Sequence, residues 1–241
     1  MPIDTRSTML PGDAVISGPH ACQTQWWARV MRKMLRNRVL AESAYGCCPS
    51  QIVEGKEVLE QLKGPAIFIA NRQGPMDIPM ILGALPESIQ DNTYFGTPAD
   101  DCYLHGENQQ ILQSWYQSLV LGSFPIIRDG GSKTLEYAKG LLRQGCNVCI
   151  FPEDNPAGAR LGSPALGGGL GKFRHGVSIL AKAARVPIVP IVLQGWRGVA
   201  SADRSASGPI TILEPLRLSL GMGVVESTEL LRRQMNAVLV S

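Results

Sequence analysis

From residue 66 to residue 193 short apolar runs alternate with longer segments of helical periodicity, and few folds accommodate that alternation. Ala66 to Ala70, Thr93 to Gly96, Phe124 to Ile127, Asn147 to Phe151 and Ile188 to Leu193 have the length and apolar character of short strands. Met76 to Ala84, Glu107 to Leu119, Lys133 to Arg143 and Phe173 to Ala184 separate them and read as helices. Gly64, Gly145 and Arg185-Val186-Pro187 mark helix-to-strand turns. Gln51 to Gly55 suggests a first strand, Lys56 to Lys63 a short helix, Pro209 to Leu216 a last strand and Glu226 to Val240 a final helix. Strand–helix alternation of this kind predicts an α/β fold: a single domain with a mostly parallel central sheet flanked by helices.

Bulk properties narrow the function classes. A chain of 241 residues, 44% hydrophobic and 18% charged, is sized for one domain with a substantial core and is too apolar for disorder. A formal net charge of +3, with no zinc-finger or RNA-binding signature, gives no reason to expect nucleic acid as a partner. No apolar run approaches the ~20 residues that span a bilayer, and Met1-Pro2-Ile3-Asp4 does not open a signal peptide. The expectation is cytoplasmic residence, peripheral to the membrane where the N-terminal helix touches it. Cys146 and Cys149 have Cys-x-x-Cys spacing but fall in a strand, where positions three apart point to opposite faces. Reduced structural thiols, and neither a metal nor any other cofactor, are expected.

Residues 1 to 45 read as an N-terminal arm followed by a basic amphipathic helix, and residues 46 to 241 as the α/β domain. In the helix, from about Cys22 to Leu40, Trp27, Val30, Met31, Met34 and Leu35 recur at helical spacing, with Arg29, Arg32, Lys33, Arg36 and Arg38 on the polar face. Such a helix either lies in the interface of an anionic membrane or packs on the domain with its arginines solvated.

The chemistry concentrates in Asn71-Arg72-Gln73-Gly74-Pro75-Met76-Asp77, directly after the apolar run Pro65 to Ala70. Three further blocks follow in order: Gly122-Ser123-Phe124-Pro125-Ile126-Ile127-Arg128, then Val148-Cys149-Ile150-Phe151-Pro152-Glu153, and Val186-Pro187-Ile188-Val189-Pro190-Ile191. Between the last two lies the basic run Phe173-Arg174-His175-Gly176. Together they resemble the glycerophospholipid acyltransferase superfamily, which includes the lysophosphatidic acid acyltransferases. That family carries Asn-His-x-x-x-x-Asp at a strand-to-helix turn, an arginine ending its second block and Phe-Pro-Glu-Gly-Thr-Arg in its third. Two departures stand out. Position 72 is arginine where the family has its histidine, and Asp154-Asn155-Pro156 replaces Gly-Thr-Arg.

The resemblance implies acyl transfer from acyl-CoA or acyl carrier protein to a hydroxyl or amine acceptor, a lysophospholipid or a biosynthetic intermediate. It places Arg72 and Asp77 at the catalytic positions and Asn71, Gln73, Arg128, Glu153, Arg160, Arg174 and His175 around the substrate. In the family the histidine takes a proton from the acceptor hydroxyl and the aspartate orients the imidazole, the base-and-orienter pairing many hydrolases use. A guanidinium has no lone pair with which to accept a proton. Arg72 therefore leaves open a rerouted transferase, a non-catalytic module binding acyl groups or carrier protein, or different thioester chemistry with Arg72 steadying an oxyanion. Beside Arg72, Asp77 is expected to have a lowered pKa. Met76, Ile78, Met80, Trp115 and Phe124 are candidates for an acyl groove. The Gly- and Pro-rich segment Asp154 to Lys172 reads as a lid over the acceptor site or as a plain surface insertion.

Overall fold

A computed structural model describes residues 19–40, 52–74, 76–99, 114–127, 132–154, 170–194 and 208–240. The predicted architecture is present. Seven strands form one sheet in the order β1-β7-β6-β2-β5-β3-β4: β1 Val53–Glu54, β2 Ile67–Ala70, β3 Thr93–Pro98, β4 Ser123–Ile126, β5 Asn147–Ile150, β6 Ile188–Leu193 and β7 Ile210–Ile212. Neighbouring strands run parallel except β6 and β7. Among the described residues the α-helices are α1 Trp26–Leu40, α2 Glu57–Glu60, α3 Asp77–Ala84, α4 Glu87–Gln90, α5 Ser132–Arg143, α6 Gly176–Ala184 and α7 Val224–Val240, with a 3-10 turn at Pro19–Cys22 and a π-helical turn at Tyr116–Val120.

Period-two alternation in the central strands builds two cores. Phe68 and Ala70 of β2 join Cys149, Val189 and Ile191 under α3, whose Met80, Ile81 and Leu82 are buried. Ile67 and Ile69 face the other way, onto Ala138 and Leu141 of α5, Val177 and Leu180 of α6, and Leu231 of α7. Cys146 and Cys149 fall in opposite cores, and they and Cys22 carry free thiols. Gly145 turns α5 into β5 with φ 78°, a left-handed conformation that costs glycine nothing. Arg185 does the same after α6 at φ 56°, where its β-carbon crowds the following carbonyl and makes the conformation costly.

Two elements differ from the sequence reading. Phe173 does not begin a helix: it pairs with Glu153 in an antiparallel bridge, and α6 starts at Gly176. The other difference lies in α1, which is inverted relative to the expectation. Arg32 and Arg36, one turn apart on the same face, are each only 1% exposed. Arg32 donates from Nε to the Leu119 carbonyl at 3.2 Å and from Nη2 to that of Gln23 at 2.9 Å, and lies 4.7 Å from the Tyr94 ring centre. Arg36 donates to Asp91 at 3.4 Å, and burial followed by repulsion from Arg32 lowers its pKa to about 10. Meanwhile Trp26, Val30 and Met34 stand out in solvent at 76%, 52% and 72% exposure. Arg32 and Arg36 turn inward to acceptors on neighbouring elements, Lys33 stays exposed in a pair with Glu87, and an apolar stripe remains outside.

Candidate active site

The turn from β2 to α3 carries the first motif, and its polar side chains hold the backbone of the turn itself. Asn71, 3% exposed, closes a two-bond clamp on the end of β6: Nδ2 donates to the Leu193 carbonyl at 2.9 Å, and the Leu193 N–H donates to Oδ1 at 2.7 Å. Gln73 adds a bond from Nε2 to the same carbonyl at 2.6 Å. Asp77, 1% exposed at the start of α3, reaches back over the turn. Its Oδ2 accepts the N–H of Gln73 at 2.8 Å, and both oxygens accept that of Gly74 at 3.0 Å. From the end of β5, Glu153 supplies the fourth tie, accepting the Arg72 N–H at 3.0 Å and the Gly171 N–H at 3.3 Å. The peptide of residue 72 is thus fixed by neighbours, whatever side chain it bears.

That side chain lies over Phe151, its guanidinium carbon 5.3 Å from the ring centre, a cation–π distance. Asp77 corrects the sequence expectation. Its pKa is raised from 3.8 to about 6, because loss of water on burial outweighs the two backbone N–H groups and the positive charge of Arg72. Glu153 is shifted the same way by burial, against the stabilising N–H groups of Arg72 and Gly171.

The two ends of the Gly-rich segment meet beside Glu153. Asp154 donates its N–H to the Lys172 carbonyl, and Arg174 donates to that of Pro152, both at 2.8 Å. Across this bridge Arg174 Nε pairs with Asp154 at 2.8 Å. His175 turns toward α7, with Nδ1 3.1 Å from the Thr228 hydroxyl. Thr228 spends its single proton on the Val224 carbonyl and takes a contact from Ser178 at 2.8 Å. Nδ1 must then be the donor to Thr228, which leaves Nε2 without the proton in the neutral ring.

An apolar cavity of about 300 Å³ lies between the sheet, α5 and α6. Phe151, Pro152 and Arg174 contribute to its lining together with Phe124, Ile126, Leu135, Ala138, Val177 and Ile179. Of the candidates for an acyl groove, Phe124 lines it. Ile78 and Met80 are ordinary core under α3, and Trp115 is largely exposed. The sequence hid this cavity in plain view: the apolar stripes of α5 and α6 that line it have the same periodicity as a filled core.

The structure therefore gathers Asn71, Arg72, Gln73, Asp77 and Glu153 around one turn, with Arg174 at the adjoining cavity. His175 sits on the interface with α7. Arg128 and Arg160, like His105 and most of the supposed lid, lie outside the described residues. Leu193 and Thr228, whose backbone and hydroxyl hold Asn71 and His175, carried no sequence signal.

The family model described as Acyltransferase matches residues 51–194, well over half the chain. This chain belongs to the acyltransferase family. Among relatives of this acyltransferase-family protein are two curated plant proteins. The 1-acyl-sn-glycerol-3-phosphate acyltransferase LPAT1, chloroplastic, of Arabidopsis thaliana is 29% identical over 148 residues, covering 59% of this chain and 35% of that protein. The corresponding BAT2 enzyme of Brassica napus is 28% identical over the same length, covering 59% and 37%. The chain thus spans just over a third of the length of these relatives. In fold it is similar to the crystal structure of the 1-acyl-sn-glycerophosphate (LPA) acyltransferase PlsC from Thermotoga maritima, with a TM-score of 0.57 and 19% identity over 95% of this chain and 93% of that one.

Proposed function

We propose that this protein transfers an acyl group from a thioester, acyl-CoA or acyl carrier protein, to a hydroxyl or amine acceptor. The acyl chain occupies the cavity between α5 and α6, and the thioester lies at the turn 71–77. One observation carries the reading: an apolar hollow of about 300 Å³ includes Phe151 and Pro152 in its lining, and the Arg72 guanidinium lies 5.3 Å from the Phe151 ring centre. That volume is at the lower bound of ligand sites generally, and its lining suits an alkyl chain. Membership in the acyltransferase family supports the reaction class.

Incubation with acyl-CoA donors of graded length, with acceptor products scored by mass spectrometry, tests this directly. Transferred acyl product is expected. Free acid alone, or no consumption of donor, contradicts transfer. Ala138, buried in the cavity lining, gives a second reading. Ala138→Phe should shorten the preferred chain by several carbons, each lost buried methylene weakening donor binding about fourfold.

Peripheral membrane contact belongs to the same reading, through the outer face of α1 rather than its arginines. No helix among the described residues is long and apolar enough to cross a membrane. Trp26, Val30 and Met34 instead form an exposed apolar stripe, the kind of surface that enters the headgroup boundary. Combined Trp26→Ser and Met34→Ser substitution should abolish flotation with anionic liposomes, while Arg32→Met should leave it intact if the fold is retained. Flotation that survives the double substitution would remove this contact.

A further inference from the structure

Resting on the transfer reading above, we infer that the acceptor at this site is a primary amine of an amphiphile, so that the product is an amide.

Three features of the site carry this. The residue presented by the turn is an arginine, which cannot take a proton from a hydroxyl. Asp77 does not replace it, since it is 1% exposed and both its oxygens are occupied by the N–H groups of Gln73 and Gly74. Of the two described histidines, His175 keeps a lone pair on Nε2 but is held by Nδ1 to Thr228 at the α7 interface rather than to the turn, and His20 is buried against Tyr137 with ring centres 5.2 Å apart. A hydroxyl acceptor at the turn 71–77 therefore meets no histidine there among the described residues. A neutral amine needs none before it attacks, because its nitrogen already carries the lone pair.

Charge points the same way. Among the described residues around the turn and the Glu153–Phe173 bridge, Asp77, Glu153 and Asp154 stand against Arg72, Lys172 and Arg174. Arg174 is engaged by Asp154 at 2.8 Å. These groups give no surplus of positive charge with which to hold a phosphate dianion. In the reaction the amine lone pair forms the C–N bond at the thioester carbonyl, and the C–S bond breaks. The sulfur leaves as thiolate and takes up the proton the nitrogen loses, directly or through water, giving an amide and a free thiol.

Lysophosphatidylethanolamine carries a hydroxyl and a primary amine in one molecule, and dodecylamine and dodecanol present them separately. Each is incubated with the full chain and palmitoyl-CoA, with protein-free rates subtracted and amide and ester distinguished by fragmentation. Amide is expected to exceed ester by at least tenfold with dodecylamine over dodecanol, and to dominate on the two-group acceptor. The amide rate should climb about tenfold per pH unit from pH 7 to 9, as the neutral fraction of an amine with pKa near that of lysine grows. Amide from dodecylamine without amide from the lysolipid would still support the class and place its source outside phospholipid headgroups. Ester from dodecanol or lysolipid at rates equal to or above amide overturns the amine assignment and leaves acyl transfer standing. Absence of both products, with donor intact, overturns both.

Discussion

Arg72→His should raise ester formation on a lysophospholipid acceptor by about 10²- to 10⁴-fold, the usual contribution of a general base. The size of the effect follows from where the side chain is carried. The Arg72 N–H is held by Glu153 at 3.0 Å, the peptide groups after it are held by Asp77, and Asn71 before it is clamped to Leu193. None of these ties uses the guanidinium, so the turn should keep its course when the side chain changes. An imidazole at position 72 has a pKa near working pH and a lone pair, and Asp77 beside it favours the imidazolium that forms. Steady-state kinetics with acyl-CoA and both acceptor types checks this, with kcat separated from KM. The ratio of ester to amide should rise with the rate. An unchanged ester rate in a folded variant would mean that the surroundings of the turn no longer serve a hydroxyl acceptor at all.

The second large effect concerns pH and stability. Asp77 keeps its proton up to about pH 6 in the folded chain, against 3.8 for its ordinary value, because burial disfavours the carboxylate. Between those values the native state binds a proton that the unfolded chain has released. Stability contributed by this group therefore falls as pH rises from about 4 to about 6 and is level above that. A shift of about two units corresponds to roughly 3 kcal/mol. Glu153, shifted in the same direction, adds to the slope. Asp77→Asn removes the titration, so urea unfolding from pH 4 to 7 should give a variant whose curve is flatter than that of the parent by an amount of that order. Parallel curves would show that Asp77 is better solvated, or better compensated by Arg72, than its burial implies.

The sheet was legible because its signal is redundant. Ile67-Phe68-Ile69-Ala70 and Ile188 to Leu193 are apolar at every position, and only a strand covered on both faces suits such runs. Gly145 and Arg185 punctuated the chain where the backbone does turn left-handed. The motif turn was legible as a cluster, since Asn71, Asp77 and Glu153 do meet there. Their roles were harder to read, because hydrogen bonding to backbone N–H and C=O groups leaves no trace in a sequence. Helix α1 shows the limit most plainly. Its periodicity set Arg32 and Arg36 apart from Trp27, Val30 and Met34, but it also placed Lys33 with the arginines, whereas Lys33 is exposed. Which face turns inward depended on the carbonyl of Gln23 just before the helix and on the Leu119 carbonyl and Asp91 carboxylate, supplied by distant parts of the chain. The sign of the Asp77 shift was missed for a related reason. Proximity to Arg72 was visible in the spacing, but the depth of burial that outweighs it arises only from packing beneath the β6 and β5 ends.

The meeting of an acyl chain with the hollow between α5 and α6 is tested most directly by photo-crosslinking. An acyl-CoA bearing a diazirine near the end of its chain is irradiated with the protein, and adducts are mapped by peptide mass spectrometry. Light-dependent adducts on Ile126, Leu135 or Ile179, suppressed by excess unlabelled acyl-CoA, are the expected result. Adducts confined to the exposed face of α1, or unaffected by competitor, would contradict an acyl site beside Arg72.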